Sequence, residues 1–153
     1  MEKISNHISW EEATVSETAT KKNIPNTPNG TQLANMKLVA TKLFEPIRVQ
    51  WAKPILINSF FRSVALNKAI GGVATSQHCL GQAIDIDTGS RAENLKLFKL
   101  IKDGGFDFDQ IIHEFGAASG PDWIHISYVS PEQNRGRALK AVKRAGKTVY
   151  ENY

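Results

Sequence analysis

The sequence predicts an α+β domain in which helices pack around a small, mostly antiparallel sheet. Helical patterns come first along the chain, and strand-like runs interspersed with helices follow them. The sequence contains no internal repeat and no linker long enough to separate two domains, so residues 1–153 are expected to form a single domain. A length of 153 residues allows a sizeable core, and 41% hydrophobic with 22% charged residues is ordinary for a globular protein.

Two helices separated by a loop are predicted in the first fifty residues. Ser9 and Glu12 form a capping-box pattern, which predicts a short helix that runs to about Thr20. A loop rich in Pro and Asn follows it. From residue 31 to residue 51, apolar residues recur at helical spacing and predict the longest helix, which Pro46 should kink or end near Phe44.

The middle of the chain alternates between strand and helix patterns. Strands are predicted at 53–59, 82–87, 108–115 and 123–129. Ser63 is expected to cap a short helix that Gly71 and Gly72 stop, and Ser90 with Glu93 forms a second capping box before an amphipathic helix.

The last twenty residues allow two interpretations. Residues 137–144 fit either a helix or one arm of a hairpin that turns at Ala145 and Gly146. Much of the net charge of +4 lies in this segment, and such charge either solvates a surface or attracts a polyanion. No aromatic residues interleave the charges in a pattern typical of nucleic-acid binding, so nucleic acid is not expected as a partner.

The sequence also predicts the compartment. It has no apolar run near twenty residues, so no membrane span is expected. The polar start lacks the apolar core of a signal peptide. Its one cysteine excludes an intrachain disulfide and agrees with a reducing compartment. We therefore expect a monomer that is synthesised in a cytoplasm.

Residues 76–87, with the sequence SQHCLGQAIDID, carry the strongest chemical signal. His78 lies on a polar turn, Asp85 lies on the strand that follows, and Gly81 permits a tight turn between them. Imidazole nitrogen and carboxylate oxygen are ligands that zinc accepts in a three-ligand site with one open position. His125 is the candidate for the third ligand. Taken alone, a histidine near an aspartate is more often a structural hydrogen-bonded pair.

The motif H-x6-D, followed by a W-x-H-x-S strand, resembles the D-alanyl-D-alanine carboxypeptidase-like zinc peptidases. That family includes the vancomycin-resistance dipeptidase, phage L-alanyl-D-glutamate endopeptidases and the zinc domain of hedgehog proteins. The resemblance is closest to the short phage and prophage branch. It extends in consistent order from about His7 to about Tyr150, through SWEEATVSETA, IPNTP, LFEPIR, KPILINSFFRSVALNKAIGG, SQHCLGQAIDI, FDQIIHEF and WIHISY.

The resemblance implies a single zinc peptidase domain with the hedgehog/DD-peptidase-like fold, and carries over His78, Asp85 and His125 as Zn²⁺ ligands. It implies hydrolysis of peptide bonds in peptidoglycan stem peptides, by a DD-carboxypeptidase or an endopeptidase. The expected setting is a phage or prophage lysis enzyme that acts on the cell wall after release or is carried in a virion. The alternative is a non-catalytic, zinc-containing wall-binding or virion-associated domain, since hedgehog proteins use this scaffold for other roles.

Two carboxylates compete for the role of general base. Many relatives place a glutamate three residues before the last histidine ligand, where this chain has Asp122. Glu114 is the rival, because its strand should pair with the strand of His125 and the pattern FDQ-x-x-x-E is familiar in the phage branch. We predict Glu114 as the base and Asp122 as the second candidate, although a strand-end glutamate is also a common surface residue.

Other residues near the motif receive supporting roles. The resemblance implies that Arg62 stabilises the oxyanion that develops on the attacked carbonyl. Ser76 and Gln77 precede the histidine of the motif and are predicted to contact it or the substrate backbone. Asp87 is interpreted as a strand-end carboxylate in water, with orientation of a metal ligand as the alternative. Cys79 is predicted to be a small buried residue, because neighbours at a turn point apart.

Overall fold

The computed structural model of the protein describes residues 3–153. Its strands are β1 Lys3–Ser5, β2 Ile8–Ser9, β3 Leu56–Ser59, β4 Ala83–Asp87, β5 Gln110–Glu114, β6 Trp123–Ser127, β7 Arg137–Arg144 and β8 Lys147–Asn152. Its α-helices are α1 Trp10–Thr14, α2 Glu17–Lys22, α3 Gly30–Val39, α4 Glu45–Trp51, α5 Val64–Ala69 and α6 Arg91–Asp103. A π-helical segment, Ala40–Phe44, joins α3 to α4, and a 3₁₀ turn spans Gln77–Leu80.

The main sheet has six strands in the order β3-β4-β6-β5-β7-β8, and β1 pairs with β2 in a separate small sheet. Four of the five neighbouring pairs in the main sheet are antiparallel, and β5 with β7 is parallel. The predicted α+β class is therefore confirmed, with a sheet that is mixed. None of the helices among residues 3–153 is both long and apolar enough to cross a bilayer.

The main sheet has one apolar face, and its other face carries Asp85 and His125. Ile84 and Ile86 of β4 and Ile124 and Ile126 of β6 are fully buried in the core, together with Phe44, Phe98 and Met36 from the helices. Side chains alternate along a strand, so the residues between these isoleucines face the other way. Burial of the isoleucines thus directs Asp85 and His125 to the opposite face.

The long helix contains the disruption that Pro46 predicts. A proline inside a helix clashes with the carbonyl of the preceding turn and provides no N–H. The π-helical segment lies immediately before the first turn of α4, where Pro46 sits, and the helical path continues to Trp51. The regular α-helix ends at Val39, which is earlier than predicted.

The helix predicted from Ser9 to about Thr20 is wrong in its length. The capping box of Ser9 and Glu12 is present, but α1 ends at Thr14. Ser16 has an extended backbone, and its side chain accepts a hydrogen bond from Ala19 N, so it starts a second helix.

The second predicted capping box forms only in part. The Ser90 hydroxyl accepts a hydrogen bond from Glu93 N and caps α6. The Glu93 carboxylate instead accepts hydrogen bonds from Lys53 and Lys96. A long-range ion pair therefore replaces the local contact back to the cap.

The structure resolves the C-terminal segment as a hairpin. Ala145 and Gly146 both have positive φ, of 52° and 77°, as expected for a two-residue turn between antiparallel strands. Because β7 pairs with β5, the basic residues of this segment other than Arg135 lie on strands of the main sheet.

We predict that Gly81→Ala lowers the free energy of unfolding by about 2–4 kcal/mol, as the sum of left-handed strain and overpacking. Gly81 has a φ of +75°, and a Cβ there would lie 2.5 Å from Gln32 O and 2.8 Å from Met36 Cγ. Gly71→Ala is the matched control, since Gly71 has the same φ with no atom within 4 Å of its Cβ position. Urea denaturation with a chelator present measures both, and equal losses would contradict the close packing of the turn.

Candidate metal centre and active-site cleft

The 3₁₀ turn holds His78 rigidly. The Ser76 hydroxyl accepts a hydrogen bond from His78 N at 3.2 Å, and Gly81 ends the turn in the left-handed conformation. The His78 ring is 2% exposed, and its Nδ1 lies 2.7 Å from Phe60 O. Since a carbonyl only accepts, Nδ1 carries the proton and donates it, which leaves the lone pair of a neutral ring on Nε2.

Asp85 and His125 are opposite each other in the antiparallel pair of β4 and β6. His125 Nδ1 lies 3.1 Å from Asp85 Oδ1, and His78 Nε2 lies 3.2 Å from the same oxygen. The two imidazole rings meet edge to face with centroids 5.2 Å apart. Two nitrogens therefore converge on one carboxylate oxygen.

These three side chains fit a metal site. One ligand atom from each residue lies within 4.8 Å of the others. Although it is close to Asp85, the buried His78 Nε2 has no hydrogen-bond partner. A buried polar atom without a partner is costly unless something else satisfies it, and two imidazoles with one carboxylate are a donor set that zinc accepts.

Asp85 is ionised in this environment. Burial of its carboxyl group, 15% exposed, by itself raises the pKa. The neighbouring His78 and His125 outweigh burial and hold the pKa of Asp85 well below its usual range. The group is therefore a carboxylate at every pH at which the protein is expected to work.

The triad lies in a cleft of about 940 Å³, which Arg62, Glu114 and Arg137 also line. Glu114 is 7% exposed and pairs with Trp123, two residues before His125, so it faces the same side of the sheet. Burial raises the pKa of Glu114 to about 7, against the opposing effect of His125. A carboxyl group with such a pKa is suited to accept and return a proton near neutral pH.

Asp122, the second candidate for the base, lies elsewhere. It precedes Trp123, so alternation directs it away from the cleft face, and it is outside the cleft lining. Its carboxylate, 39% exposed, pairs with Arg91 Nη2 at 2.9 Å. The position of Asp122 therefore favours Glu114 as the base, and the assignment of the base stays a prediction.

Arg62 lies in the cleft, where it was predicted. Its backbone N donates to His78 O at 3.3 Å, and Nη2 donates to the Ser76 hydroxyl at 3.4 Å. Its Nε is buried without a hydrogen-bond partner among residues 3–153. The guanidinium thus retains a free donor beside the triad. Its role in stabilising an oxyanion stays a prediction.

A buried ionic network behind the triad was missed by sequence reasoning. Asp109 is 1% exposed and accepts hydrogen bonds from Gln77 Nε2 at 2.9 Å and from Arg135 Nε and Nη2 at 2.9 and 2.7 Å. Gln77, predicted to contact His78 or substrate, is therefore bound to Asp109. The network connects the turn of His78 to the start of β5 and to the loop before β7. Its partners are 26 or 32 residues apart, and no local sequence pattern predicts pairing over such separations.

The remaining candidates have structural positions. Cys79 is buried, as predicted, and burial raises the pKa of its thiol. Asp87, predicted to be a strand-end carboxylate in water, accepts hydrogen bonds from Gly89 N and Asn94 Nδ2 at the end of β4. His113, which is not part of the metal motif, is buried on the apolar side against the rings of Phe98 and Tyr153.

Comparison with known proteins identifies the family. The sequence model of peptidase M15 matches residues 6–127. The chain belongs to the peptidase M15 family. Within this M15 chain, the match ends at the last residue of β6, so the β7–β8 hairpin lies outside it.

One curated relative is the zinc D-Ala-D-Ala carboxypeptidase of Streptomyces albus G, with 38% identity over 61 residues. The matched segment covers 40% of this chain and 24% of that protein, so the chain spans about a quarter of the relative's length. The family match agrees with the predicted class, a zinc metallopeptidase, and the name of this relative agrees with Zn²⁺ as the metal.

We predict that Asp109→Asn lowers the free energy of unfolding at pH 7 by about 2 kcal/mol, because charge-assisted hydrogen bonds to a buried carboxylate are lost. Burial opposes the effect, but Arg135 and Gln77 lower the pKa of Asp109 in the folded protein. Its contribution is therefore present above the unfolded pKa of about 3.9 and is lost as pH falls through the folded-state pKa.

Urea denaturation between pH 7 and pH 3 measures this difference. The control is Glu151→Gln, which breaks an exposed ion pair with Arg144 and should cost less than about 0.5 kcal/mol. A difference between wild type and Asp109→Asn that stays constant down to pH 3 would contradict the assignment.

Proposed function

We propose that this protein is a zinc-dependent peptidase that hydrolyses peptide bonds in peptidoglycan stem peptides. The observation that carries the proposal is the convergence of His78, Asp85 and His125 in a cleft that also contains the buried carboxyl group of Glu114. Membership of the peptidase M15 family supports the reaction type.

In this proposal, His78 Nε2, His125 Nδ1 and an oxygen of Asp85 bind the zinc ion. Bound zinc supplies Lewis-acid activation of water and of a peptide carbonyl. The hydrogen bond from His78 Nδ1 to Phe60 O fixes the orientation of that ring, as is usual for a histidine that binds a metal.

Glu114 acts as the general base in this proposal. Its carboxylate accepts a proton from the attacking water and then returns it to the leaving amine. The raised pKa of Glu114 suits both steps near neutral pH. Arg62, with its free Nε, donates to the oxyanion that forms on the attacked carbonyl.

A non-catalytic zinc domain is the less favoured alternative. Burial of a carboxyl group without an ion-pair partner destabilises a fold. Glu114 is such a group: no ion pair of Glu114 occurs in the described part of the chain. A role in proton transfer accounts for its position, whereas a purely structural metal site requires no such residue.

The substrate and setting follow from similarity. The relative from Streptomyces albus G is a zinc D-Ala-D-Ala carboxypeptidase, and we propose the same class of substrate here, cleaved by a DD-carboxypeptidase or an endopeptidase. We further propose the hedgehog/DD-peptidase-like fold and a role as a phage or prophage lysis enzyme, on the resemblance of the whole motif order to that branch.

We predict that the purified protein binds about one zinc ion per chain and that His78→Ala abolishes this binding, because one of three protein ligands is lost. His7→Ala is the control, since His7 is exposed and pairs with Glu45 far from the cleft. Elemental analysis after dialysis measures the metal. Repeated absence of divalent metal from folded, zinc-supplemented wild type would contradict the site.

We predict that Glu114→Gln keeps zinc and fold but lowers kcat by about a hundredfold or more, the usual scale for loss of a general base. Asp122→Asn is the matched control and should change kcat less than about threefold, because Asp122 pairs with Arg91 outside the cleft. Release of amino groups from a soluble stem peptide measures both. The reverse order of effects would assign the base to Asp122.

A further inference from the structure

We propose that the β7–β8 hairpin forms a subsite for a carboxylate group of the bound peptide, with Arg137 as its cation. This inference rests on the proposed peptidase function and deepens it by naming a chemical feature of the substrate. The hairpin lies outside the segment that matches the family model.

The register of the sheet places residues of the hairpin on the same face as the metal ligands, with β5 between β7 and the strand of His125. Residues directly opposite each other on paired strands face the same side of a sheet. Asp85 is opposite His125, His125 is opposite Ile112, and Ile112 is opposite Leu139 of β7. Arg137 lies two residues before Leu139 and therefore faces the same side, in the row next to the triad.

The charge of Arg137 is available for a ligand. Its side chain is exposed, lines the cleft and has no hydrogen-bond or ion-pair partner among residues 3–153. Its neighbours are engaged: Arg135 binds Asp109, Arg144 binds Glu151, and Lys143 donates to Thr148. Of the two arginines that line this side of the cleft, Arg135 is ion-paired with Asp109, whereas Arg137 has no ion-pair partner among residues 3–153.

The hairpin also supplies apolar surface next to this cation. Leu139 is buried on the cleft face, and Tyr150 lies opposite Ala141, which is opposite Glu114. Tyr150 is half-exposed and lines the same cleft as the triad. The wall therefore combines an apolar surface with a positively charged end.

The spacing sets where the carboxylate lies along the substrate. Two strand separations and two residues along a strand place Arg137 Cα about 12 Å from His125 Cα. An extended peptide covers that distance in about three residues, and the reach of the arginine side chain shortens it to two or three. We therefore place the carboxylate two or three residues from the cleaved bond.

The chemistry of the site favours a single carboxylate over a polyanion. The planar guanidinium donates two parallel hydrogen bonds to one carboxylate. A polyanion needs a stripe of free cations, whereas Arg135 and Arg144 are already ion-paired within the protein and Lys140 faces the other side of the sheet. The carboxylate is either that of an acidic side chain or the C-terminal one, and the test separates these two sources.

The experiment compares three synthetic stem peptides that differ only in carboxyl groups: one with both free, one with the side-chain carboxylate converted to amide, and one with a C-terminal amide. Steady-state kinetics are measured for wild type, Arg137→Gln and Lys140→Gln. Lys140 is the matched control, because it lies on the same strand but its side chain is on the opposite face of the sheet. Its register partner on β5 is His113. Dissociation constants are measured by calorimetry in the Glu114→Gln background.

We expect Arg137→Gln to raise KM and Kd for the free peptide about tenfold, the scale of one charge-assisted hydrogen-bonded pair, with kcat nearly unchanged. One of the two amidated peptides should bind to wild type as weakly as the free peptide binds to Arg137→Gln. The affinity of that peptide should not change in Arg137→Gln, and the group amidated in it is then the carboxylate that Arg137 binds. Lys140→Gln should change KM less than twofold for every peptide.

Equal affinity of all three peptides for wild type, or an equal loss for all three in Arg137→Gln, would overturn the subsite. Wild type that cleaves none of the peptides would overturn the proposed function instead. In that case the dissociation constants still decide whether Arg137 recognises a carboxylate.

Discussion

The antiparallel register between β4 and β6 is the constraint on which the rest of the structure depends. It sets Asp85 opposite His125 on one face. On the other face it sets Ile84 opposite Ile126 and Ile86 opposite Ile124, and all four isoleucines belong to the core. A slip of one residue would bury a carboxylate beneath the helices and expose isoleucines in the cleft. The hydrophobic core and the candidate metal centre are therefore specified by the same pairing.

The third member of the triad is placed by polar contacts, because His78 lies on a turn outside the sheet. Ser76, Phe60 O and the close packing of Gly81 hold that turn, and Gln77 connects it to the buried Asp109. The sheet thus positions two groups through apolar burial, and a hydrogen-bonded network positions the third. Such networks stabilise a fold only when their buried members are satisfied.

Much of the site follows from the sequence because it depends on local periodicity. Alternation along two short strands places Asp85 and His125 on one face, and Gly81 marks the turn of His78. The pairing of Asp109 with Arg135 and Gln77 is long-range and leaves no local pattern. Residues 137–144 contain good helix formers such as Ala, Leu, Lys and Arg, so only tertiary pairing with β5 decides that they form a strand.

The parallel pairing of β5 with β7 has a consequence for the order in which the protein folds. Strand β6 lies between them in the chain but on the far side of β5 in the sheet, so the chain must cross over before β7 can dock. Contacts that close a longer loop form later than local ones. The wall that carries Arg137 and Tyr150 therefore assembles after the pair β5–β6, and a partly synthesised chain has an incomplete cleft.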